Sequence, residues 1–199
     1  GASAQVLEKW GATLSQPFHN IRHPKWSLFP HEDQYPDPNG LWTRVTVNDF
    51  AKNRKEITRS YNNALRKAER SVTIVGGYFL PGRKFRRLLR QASSRGVAVK
   101  VIVTGISDVP ITRLAAEYLY GRLLRSGIRI YEYQGAMLHG KAAVIDQTWL
   151  TIGSYNQNPL SAYLSIEVNV DVVNSALASD FQSHLDHIIQ NESQEVTLE

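Results

Sequence analysis

Between residues 71 and 133 the sequence alternates short apolar runs with amphipathic stretches of helical spacing. Val97–Val103 is a nearly continuous apolar run, which is typical of a strand buried on both faces of a parallel sheet. Residues 83–94 place apolar side chains at helical spacing and arginines on the other face, and Gly96 ends the pattern. Strand, helix, strand, helix and strand in succession predict right-handed crossovers, and therefore an α/β fold with a mixed, largely parallel sheet flanked by helices.

Shorter signals predict the remaining elements of the chain. Asn48 or Asp49 is expected to cap a helix that runs to about Arg70, because apolar residues recur there at helical spacing. The other predicted strands are Leu41–Val47, Ser71–Val75, Ile128–Tyr133 and Leu164–Val173, with a hairpin of Lys141–Ile145 and Trp149–Thr151. The other predicted helices run from Asp108 or Pro110 to about Arg125 and from Asn174 or Ser175 to about Gln190.

The first 43 residues differ in composition from the remainder. Five prolines lie between Gln16 and Gly40, and this density excludes long regular elements. We therefore interpret residues 1–43 as an irregular linker rich in proline and aromatic residues, residues 44–191 as one α/β domain, and residues 192–199 as a frayed C-terminus.

The predicted hairpin and the residues that flank it contain several polar residues, in the pattern H-x-K-(x)4-D-(x)6-G-S-x-N. On a strand, His139 and Lys141 would project from the same face because they are two residues apart. The histidine can attack phosphorus or transfer a proton, since its unperturbed pKa of about 6.5 lies near working pH. The lysine, the Ser154 hydroxyl and the Asn156 amide can hold phosphate oxygens, and Gly153 leaves room for a phosphate to approach. The pattern therefore predicts a phosphodiester site.

Two carboxylates compete to orient the His139 imidazole. Asp146 is expected at the hairpin tip, where seven residues at about 3.3 Å each place it roughly 20 Å of strand from the histidine. We interpret Asp146 as structural, bound to the backbone or to a basic residue at the turn. Glu167 lies on the neighbouring predicted strand within an alternating run, so we expect it to fix the histidine tautomer and to stabilise the imidazolium.

The charges are unevenly distributed along the chain. Residues 51–130 contain 18 of the 23 Lys and Arg but 4 of the 18 Asp and Glu, a formal net charge of +14 in a chain of +5. Such a field favours anionic partners, either nucleic acid or acidic lipid headgroups. A solvated helix face is the alternative explanation, because helices that flank a core commonly carry such faces.

Several classes of site are excluded or unsupported. The chain has no cysteine, so disulfides and thiolate metal sites are excluded. It has no apolar run of the roughly 18–20 residues that cross a bilayer, so membrane contact would be peripheral. His184 and His187 lie three apart on the last predicted helix without an evident third ligand, and we interpret them as a solvated face. No metal and no other cofactor is predicted.

The pattern around His139 resembles the HKD motif of the phospholipase D superfamily. Beyond the motif, residues 44–173 resemble bacterial cardiolipin synthases of that superfamily, especially their second half. The matching segments are EITRSYNNALRKAER at Glu56–Arg70, YFLP at Tyr78–Pro81, ASSRGVAVKVIV at Ala92–Val103 and EVN at Glu167–Asn169. The resemblance implies a phospholipase D-like domain over residues 44–191, preceded by the tail of a first half.

By position, the resemblance also implies a role for each motif residue. His139 matches the motif histidine, Lys141 the phosphate-binding lysine, and Glu167 the carboxylate that orients the histidine. Ser154 and Asn156 match residues that contact phosphate. The rim of the site would include two residues of the YFLP segment, Tyr78 and Pro81.

The implied reaction is metal-independent and proceeds by double displacement. One histidine forms a phosphohistidine, the other protonates the leaving alcohol, and water or a second alcohol then attacks. In members with two motifs the first histidine is usually the nucleophile, which would make His139 the general acid. The sequence leaves both roles open.

A single motif supplies half of such a site, so a second half is expected in the same longer chain or through homodimerisation. The leading hypothesis is the second half of a cardiolipin synthase-type phosphatidyltransferase. It would act on a phosphatidylglycerol-like phospholipid, at an anionic membrane surface on the cytoplasmic side of a bacterial inner membrane. The alternatives are a homodimeric nuclease or phosphodiesterase, with nucleic acid as its partner, and a half-site module that is inactive on its own.

Overall fold

A computed structural model describes residues 41–52, 54–106 and 118–198 of the chain. Almost all of the predicted linker over residues 1–43 lies outside these ranges, as does the predicted helix start at Asp108 or Pro110. Within the described residues the first regular element begins at Trp42, close to the predicted strand start at Leu41.

The described residues form one mixed sheet. Its strands are β1 (Trp42–Asp49), β2 (Arg54–Lys55), β3 (Ser71–Gly76), β4 (Ala98–Thr104), β5 (Arg129–Tyr133), β6 (Lys141–Ile145), β7 (Trp149–Gly153), β8 (Ile166–Val173) and β9 (Ser193–Glu195). These nine strands of the described part follow the order β2-β1-β8-β7-β6-β3-β4-β5-β9.

Parallel pairing is confined to one part of this sheet. β3 pairs with β4 and β4 pairs with β5 in parallel, whereas every other neighbouring pair of described strands is antiparallel. The predicted mixed α/β class is confirmed, but the predicted predominance of parallel strands is wrong. The segments that join β3 to β4 and β4 to β5 cross over to parallel neighbours, whereas the short β6–β7 connection requires antiparallel neighbours.

Five helices accompany the described strands. They are α1 (Glu56–Lys67), α2 (Arg83–Ser94), α3 (118–124, as far as it is described), α4 (Pro159–Tyr163) and α5 (Ser175–Glu192). The bounds of α2 agree with the prediction, and α5 begins after Asn174, whose side chain accepts a hydrogen bond from Leu177 N at 2.8 Å. The short helix α4 was not predicted. Among the described helices, none has the length and apolar character needed to cross a membrane.

The predicted start of α1 at Asn48 or Asp49 is wrong. Both residues end β1, and the helix begins only at Glu56. Asn48 instead reaches the first turn of α1 from the strand, donating to Thr58 Oγ1 at 2.8 Å and accepting from Thr58 N at 3.4 Å. The side chain therefore satisfies a helix N–H, as a cap would, but it does so across tertiary space.

The helices divide between the two faces of the sheet. α1 and α2 cover one face, where the Tyr61 ring packs edge-on against Phe85 of α2 and Trp149 of β7, with centroids 5.8 and 5.7 Å apart. α5 covers part of the other face, where Ala178 and Leu185 pack on apolar side chains of β3, β4, β6, β7 and β8. The sheet is thus the middle layer of a three-layer core.

The C-terminus was predicted to fray over residues 192–199, and the structure corrects this for residues 192–195. Glu192 ends α5, and β9 then pairs with β5. The Arg129 guanidinium donates two hydrogen bonds to the Glu195 carboxylate, each 2.8 Å long. This fork-to-fork pair holds the edge strand, and the sequence alone gave no signal for it because the partners are far apart.

On the face of the sheet that α5 partly covers, four apolar side chains form a strip that no described element covers. It comprises Val45, Ile152, Ile166 and Val168, which are 64, 47, 62 and 47% exposed. The β1–β8 and β7–β8 registers place these side chains on the same face as Val170, which packs against the core beneath α5. The strip is therefore continuous with the core but lacks a covering element among the described residues.

Candidate active site

Residues of the predicted pattern meet where several strands end at one edge of the sheet. Lys141 begins β6, and continuation of the β6–β7 register places it opposite Gly153, which ends β7. Gly153 pairs with Asn169 of β8, and Glu167 lies two residues earlier on that strand. Opposed residues of antiparallel strands project from the same face, so Lys141, Asn169 and Glu167 share the face covered by α1.

His139 lies in the loop before β6 rather than on the strand. The expectation that His139 and Lys141 leave one strand face is therefore wrong, because β3 ends at Gly76 and offers no backbone for pairing beyond Lys141. Instead, Lys141 Nζ donates to the His139 carbonyl oxygen at 2.9 Å. The His139 side chain is exposed, and no residue of the described ranges forms a hydrogen bond with its ring.

The Lys141 ammonium is a buried charge. The residue is 7% exposed, and burial lowers its pKa below the ordinary lysine value, while the nearby Glu167 carboxylate opposes this effect. Among the described residues the side chain has one hydrogen bond, to the His139 carbonyl, which leaves its other N–H donors available to an anion. A cation held in this way is suited to bind phosphate oxygens.

Ser154 and Glu167 form a hydrogen-bonded pair at the same edge. The Ser154 hydroxyl donates to Glu167 Oε2 and accepts from Val168 N at 3.0 Å. Its proton is therefore engaged by the carboxylate and is not directed at a phosphate. Glu167 is brought next to Ser154 and Lys141, but no hydrogen bond joins it to the His139 ring within the described chain, so its orienting role stays a prediction.

Asn156 lies three residues beyond β7, in a loop fixed by α4. Its backbone N donates to Ser161 Oγ at 3.3 Å, and Asn158 caps α4 by accepting from Ser161 N at 2.9 Å. The Asn156 Oδ1 atom is buried and has no hydrogen-bond partner among the described residues. A buried amide without its full set of partners favours a ligand at this position.

Asp146 occupies the hairpin turn, at the opposite end of β6. Its carboxylate accepts from three consecutive backbone donors, Glu69 N at 2.9 Å, Arg70 N at 2.7 Å and Ser71 N at 2.9 Å. The Arg70 guanidinium also donates to the Asp146 carbonyl oxygen at 2.8 Å. The carboxylate therefore ties the hairpin to the segment that joins α1 to β3.

Two glycines provide close backbone approaches at this edge. A Cβ on Gly153 would lie 2.2 Å from the Val168 carbonyl oxygen, so this glycine permits β7 to lie against β8 rather than making room for phosphate alone. A Cβ on Gly77 would lie 2.1 Å from the Leu138 carbonyl oxygen. Gly77 thus lets the end of β3 pack against the segment that carries His139.

The predicted rim segment lies beside the Asn156 loop. Leu80 N donates to the Gln157 carbonyl oxygen at 3.0 Å, and Pro81 lines a cavity of about 90 Å³ together with Gln157 and Tyr155. Tyr78 is half-buried in the turn that follows β3. The rim roles of Tyr78 and Pro81 stay predictions.

A buried polar row on β8 was missed as a group. Asn169 accepts from Tyr155 N at 3.2 Å and donates to Thr151 Oγ1 at 3.1 Å, which positions the loop that carries Asn156. Asp171, 1% exposed, accepts from Thr151, Ser60 and Arg44. The sequence signal that could have predicted this row is the polar residue at every second position of β8, because alternate residues of a strand project from one face.

Comparison with known proteins agrees with the geometry. The family described as "Cardiolipin synthase, PLD-like domain" matches residues 61–189, which include β6, β7 and β8. The chain belongs to this phospholipase D-like family. Cardiolipin synthase B of Escherichia coli K12 is 35% identical over 171 residues, which are 86% of this chain and 41% of that protein. This phospholipase D-like chain thus spans about two fifths of the length of the curated relatives it matches.

Solved structures show that the phospholipase D-like fold is shared more widely. The phospholipase D family member Nuc from Salmonella typhimurium has a TM-score of 0.66 at 19% identity, over 80% of this chain and 100% of Nuc. Phosphatidylserine synthase from Haemophilus influenzae has a TM-score of 0.64 at 14% identity, over 80% of this chain and 40% of that one. At these identities the likeness concerns the fold alone.

Proposed function

We propose that this phospholipase D-like chain supplies half of a phosphatidyltransferase site and acts on a phosphodiester through a phosphohistidine intermediate. The observation that carries the proposal is an exposed His139 ring without a hydrogen-bond partner among the described residues, on a residue whose backbone carbonyl accepts from the buried Lys141 ammonium. A histidine so placed is free to meet phosphorus or a leaving oxygen, and the lysine is placed to hold charge that develops on the phosphate.

Two histidines divide the chemistry in this proposal. One imidazole nitrogen bonds to phosphorus as the bond from phosphorus to the leaving alkoxide breaks, and the other imidazole gives that alkoxide its proton. The second imidazole then takes the proton of an incoming alcohol, whose oxygen displaces the first nitrogen from phosphorus. Lys141 and Asn156 hold the non-bridging oxygens throughout, and His139 takes one of the two histidine roles.

The second histidine would come from a second phospholipase D-like half. The uncovered apolar strip supports this, because Ile166 flanks Glu167 and Ile152 precedes Gly153 at the edge that carries the site. An exposed apolar surface of this kind is typical of a protein contact. The cardiolipin synthase relatives are more than twice as long as the matched region, which favours a second half in the same longer chain.

The proposed substrate is a phosphatidylglycerol-like phospholipid. The support is the name of the relatives, cardiolipin synthase B, at 35–38% identity over 171 residues. We place the complete protein at the cytoplasmic side of a bacterial inner membrane, bound peripherally to its anionic surface. The acceptor would be either the hydroxyl of a second phospholipid headgroup or water.

A homodimeric phosphodiesterase or nuclease is the second candidate. The favouring observation is Nuc, which is matched over 100% of its length, so that one copy of this fold is a whole chain there. In this case two copies of His139 would flank one phosphate across a two-fold axis.

The deciding experiment replaces His139 by alanine in the complete natural protein. We expect turnover of labelled phosphatidylglycerol, followed by thin-layer chromatography, to fall by about 10²–10⁴-fold or more. His184→Ala, which changes an exposed histidine of α5, is the matched control and should leave turnover unchanged. Equal turnover for His139→Ala and wild type would refute the catalytic proposal.

Further arms of that experiment separate the candidates. Transfer yields a two-phosphate lipid, whereas hydrolysis yields phosphatidic acid. Cleavage of single-stranded DNA that depends on His139, with no lipid turnover, would establish the nuclease instead. Chelator is expected to leave the rate unchanged, and strong inhibition would contradict the proposed metal-free mechanism.

A further inference from the structure

The outer face of α2 carries a dense cluster of positive charge. Its sequence, RKFRRLLRQASS, contains no acidic residue. Five of its cations line an open groove of about 640 Å³ together with Arg122 of α3, and these five are Arg83, Lys84, Arg86, Arg87 and Arg90. None of these five forms an ion pair within the described ranges. We call this cluster the basic groove.

The basic groove is unfavourable for the helix that carries it. Arg83, Arg86 and Arg90 follow one another at spacings of three and four, so like charges are neighbours on the helix surface. Two cations occupy the first turn of α2, where the positive end of the helix dipole repels them. An anionic surface placed against the groove relieves both repulsions.

Exposed apolar side chains lie close to this groove. Leu160, Tyr163 and Leu164, in and directly after α4, are 61, 63 and 65% exposed. A cavity of about 90 Å³ separates α4 from the first turn of α2, and its lining includes both Lys84 and Tyr163. Cations and apolar side chains therefore flank one depression.

That depression leads to the candidate active site. Tyr155 and Gln157, which flank Asn156 in the sequence, belong to the lining of the same cavity. A phosphate that the α2 cations attract would thus approach the loop of the phosphate-binding amide. This arrangement suits a substrate whose headgroup is charged and whose remainder is apolar.

We propose that the basic groove and the apolar residues of α4 together bind the chain to a bilayer that contains anionic phospholipid. The arginines contact headgroup phosphates, while Leu160, Tyr163 and Leu164 enter the interface between headgroups and acyl chains. The inference rests on the proposed function, because a phospholipid substrate is found at such a surface. Exposed leucines favour a bilayer over nucleic acid, which offers them no apolar phase.

The test measures binding of the 199-residue chain to vesicles by flotation. Vesicles of phosphatidylcholine are compared with vesicles that also contain phosphatidylglycerol, at low and at high salt. Binding is expected only with phosphatidylglycerol. The variant R86Q/R87Q/R90Q should weaken it by roughly 100-fold, since each cation near an anionic surface contributes about a fivefold factor.

A matched variant controls for the loss of charge alone. K52Q/R59Q/R66Q removes the same number of exposed cations from positions outside the groove, and it should weaken binding far less. L160S/L164S should lower the binding that persists at high salt. Equal weakening of binding by the two charge variants would overturn the groove assignment. If L160S/L164S changes the oligomeric state but leaves vesicle binding unchanged, the proposed role of α4 in binding is overturned.

Two outcomes distinguish this inference from the proposed function. In the complete natural protein, R86Q/R87Q/R90Q should lower turnover of vesicle substrate relative to turnover of a short-chain, monomeric phosphatidylglycerol. Groove-dependent vesicle binding without turnover of any lipid would uphold the docking surface and reject the enzyme. Binding of single-stranded DNA in place of vesicles would reject the docking surface.

Discussion

Lys141 combines a buried position with a proposed role, phosphate binding, that needs its charge. Burial lowers its pKa from the ordinary value of 10.5, so turnover should fall as pH rises through a value below 10.5. Lys141→Arg keeps the charge at higher pH, so the fall in kcat/KM should occur at a higher pH in this variant. Lys100→Arg, at a lysine paired with Asp186 at 2.8 Å, is the control and should leave the profile in place. An unmoved profile in Lys141→Arg would show that another group titrates.

The same buried charge has a consequence for stability. A lowered pKa means that the folded chain binds fewer protons at Lys141 than the unfolded chain, so stability increases as pH rises from the lowered pKa to 10.5. At neutral pH the charge therefore opposes folding. Lys141→Met should raise the thermal unfolding midpoint at pH 7 while it abolishes turnover, and the midpoint gain should disappear at high pH.

In the hairpin turn, Gln147 adopts a backbone conformation that is unfavourable for a residue with a side chain. Asp146 and Gln147 both have φ of +54°, and Thr148 N closes the turn on the Ile145 carbonyl oxygen at 3.1 Å. Aspartate followed by glycine is the preferred pair in such turns. Gln147→Gly should raise the free energy of unfolding by about 0.5–1 kcal/mol, measured in urea. Thr148→Gly, where φ is not positive, should lower it instead.

At the scale of elements, the junction between β3 and the His139 loop depends on Gly77. A Cβ there would meet the Leu138 carbonyl oxygen at 2.1 Å, so Gly77→Ala must displace one of the two backbones. We expect a loss of about 1–3 kcal/mol of stability and a fall in turnover, because His139 would move. Gly82→Ala is the matched control, since a Cβ at Gly82 has no neighbour within 4 Å. Equal effects of the two variants on turnover would contradict this role for Gly77.

The elements that the sequence predicted well are those with local signals. β3, α2, β4 and β5 follow from apolar runs, helical spacing and glycines, and the Asp146–Gln147 turn follows from the hairpin pattern. The start of α1 was missed because Asn48 meets its helix partner Thr58 through tertiary contact. Strand order and β9 depend on pairings between distant segments, which local patterns do not encode.

The candidate site was likewise predictable in its local features and not in its long-range contacts. The motif supplied the residue types, and their convergence at one sheet edge agrees with the predicted hairpin. The partners were harder to predict, because the Ser154 proton goes to Glu167 and the Lys141 ammonium goes to a backbone carbonyl. The orientation of β8 was the hardest feature to predict. Its polar residues lie on the covered face of the sheet, whereas Ile166 and Val168 are exposed.

At the scale of the whole molecule, the uncovered apolar strip makes a prediction about assembly. Val168→Lys changes a side chain that is 47% exposed, so the chain itself should lose less than about 0.5 kcal/mol of stability. The charge would be buried in a contact with a second half, and turnover of the complete protein should fall at least tenfold. Gln194→Lys, at an exposed residue of β9 near the opposite edge of the sheet, is the control. Full turnover of Val168→Lys would place the second half elsewhere.

The alignment of Lys141 with Gly153 explains the numerical form of the motif. The four residues between Lys141 and Asp146 are the rest of β6, and the six between Asp146 and Gly153 are the remainder of the turn and the returning strand. The intervals are therefore the dimensions of a hairpin. Adding one residue to only one strand of the hairpin would turn that strand's side chains to the other face of the sheet. Adding two residues to each strand would keep the lysine opposite the glycine. Searches for distant relatives should let the two intervals lengthen together, in steps of two.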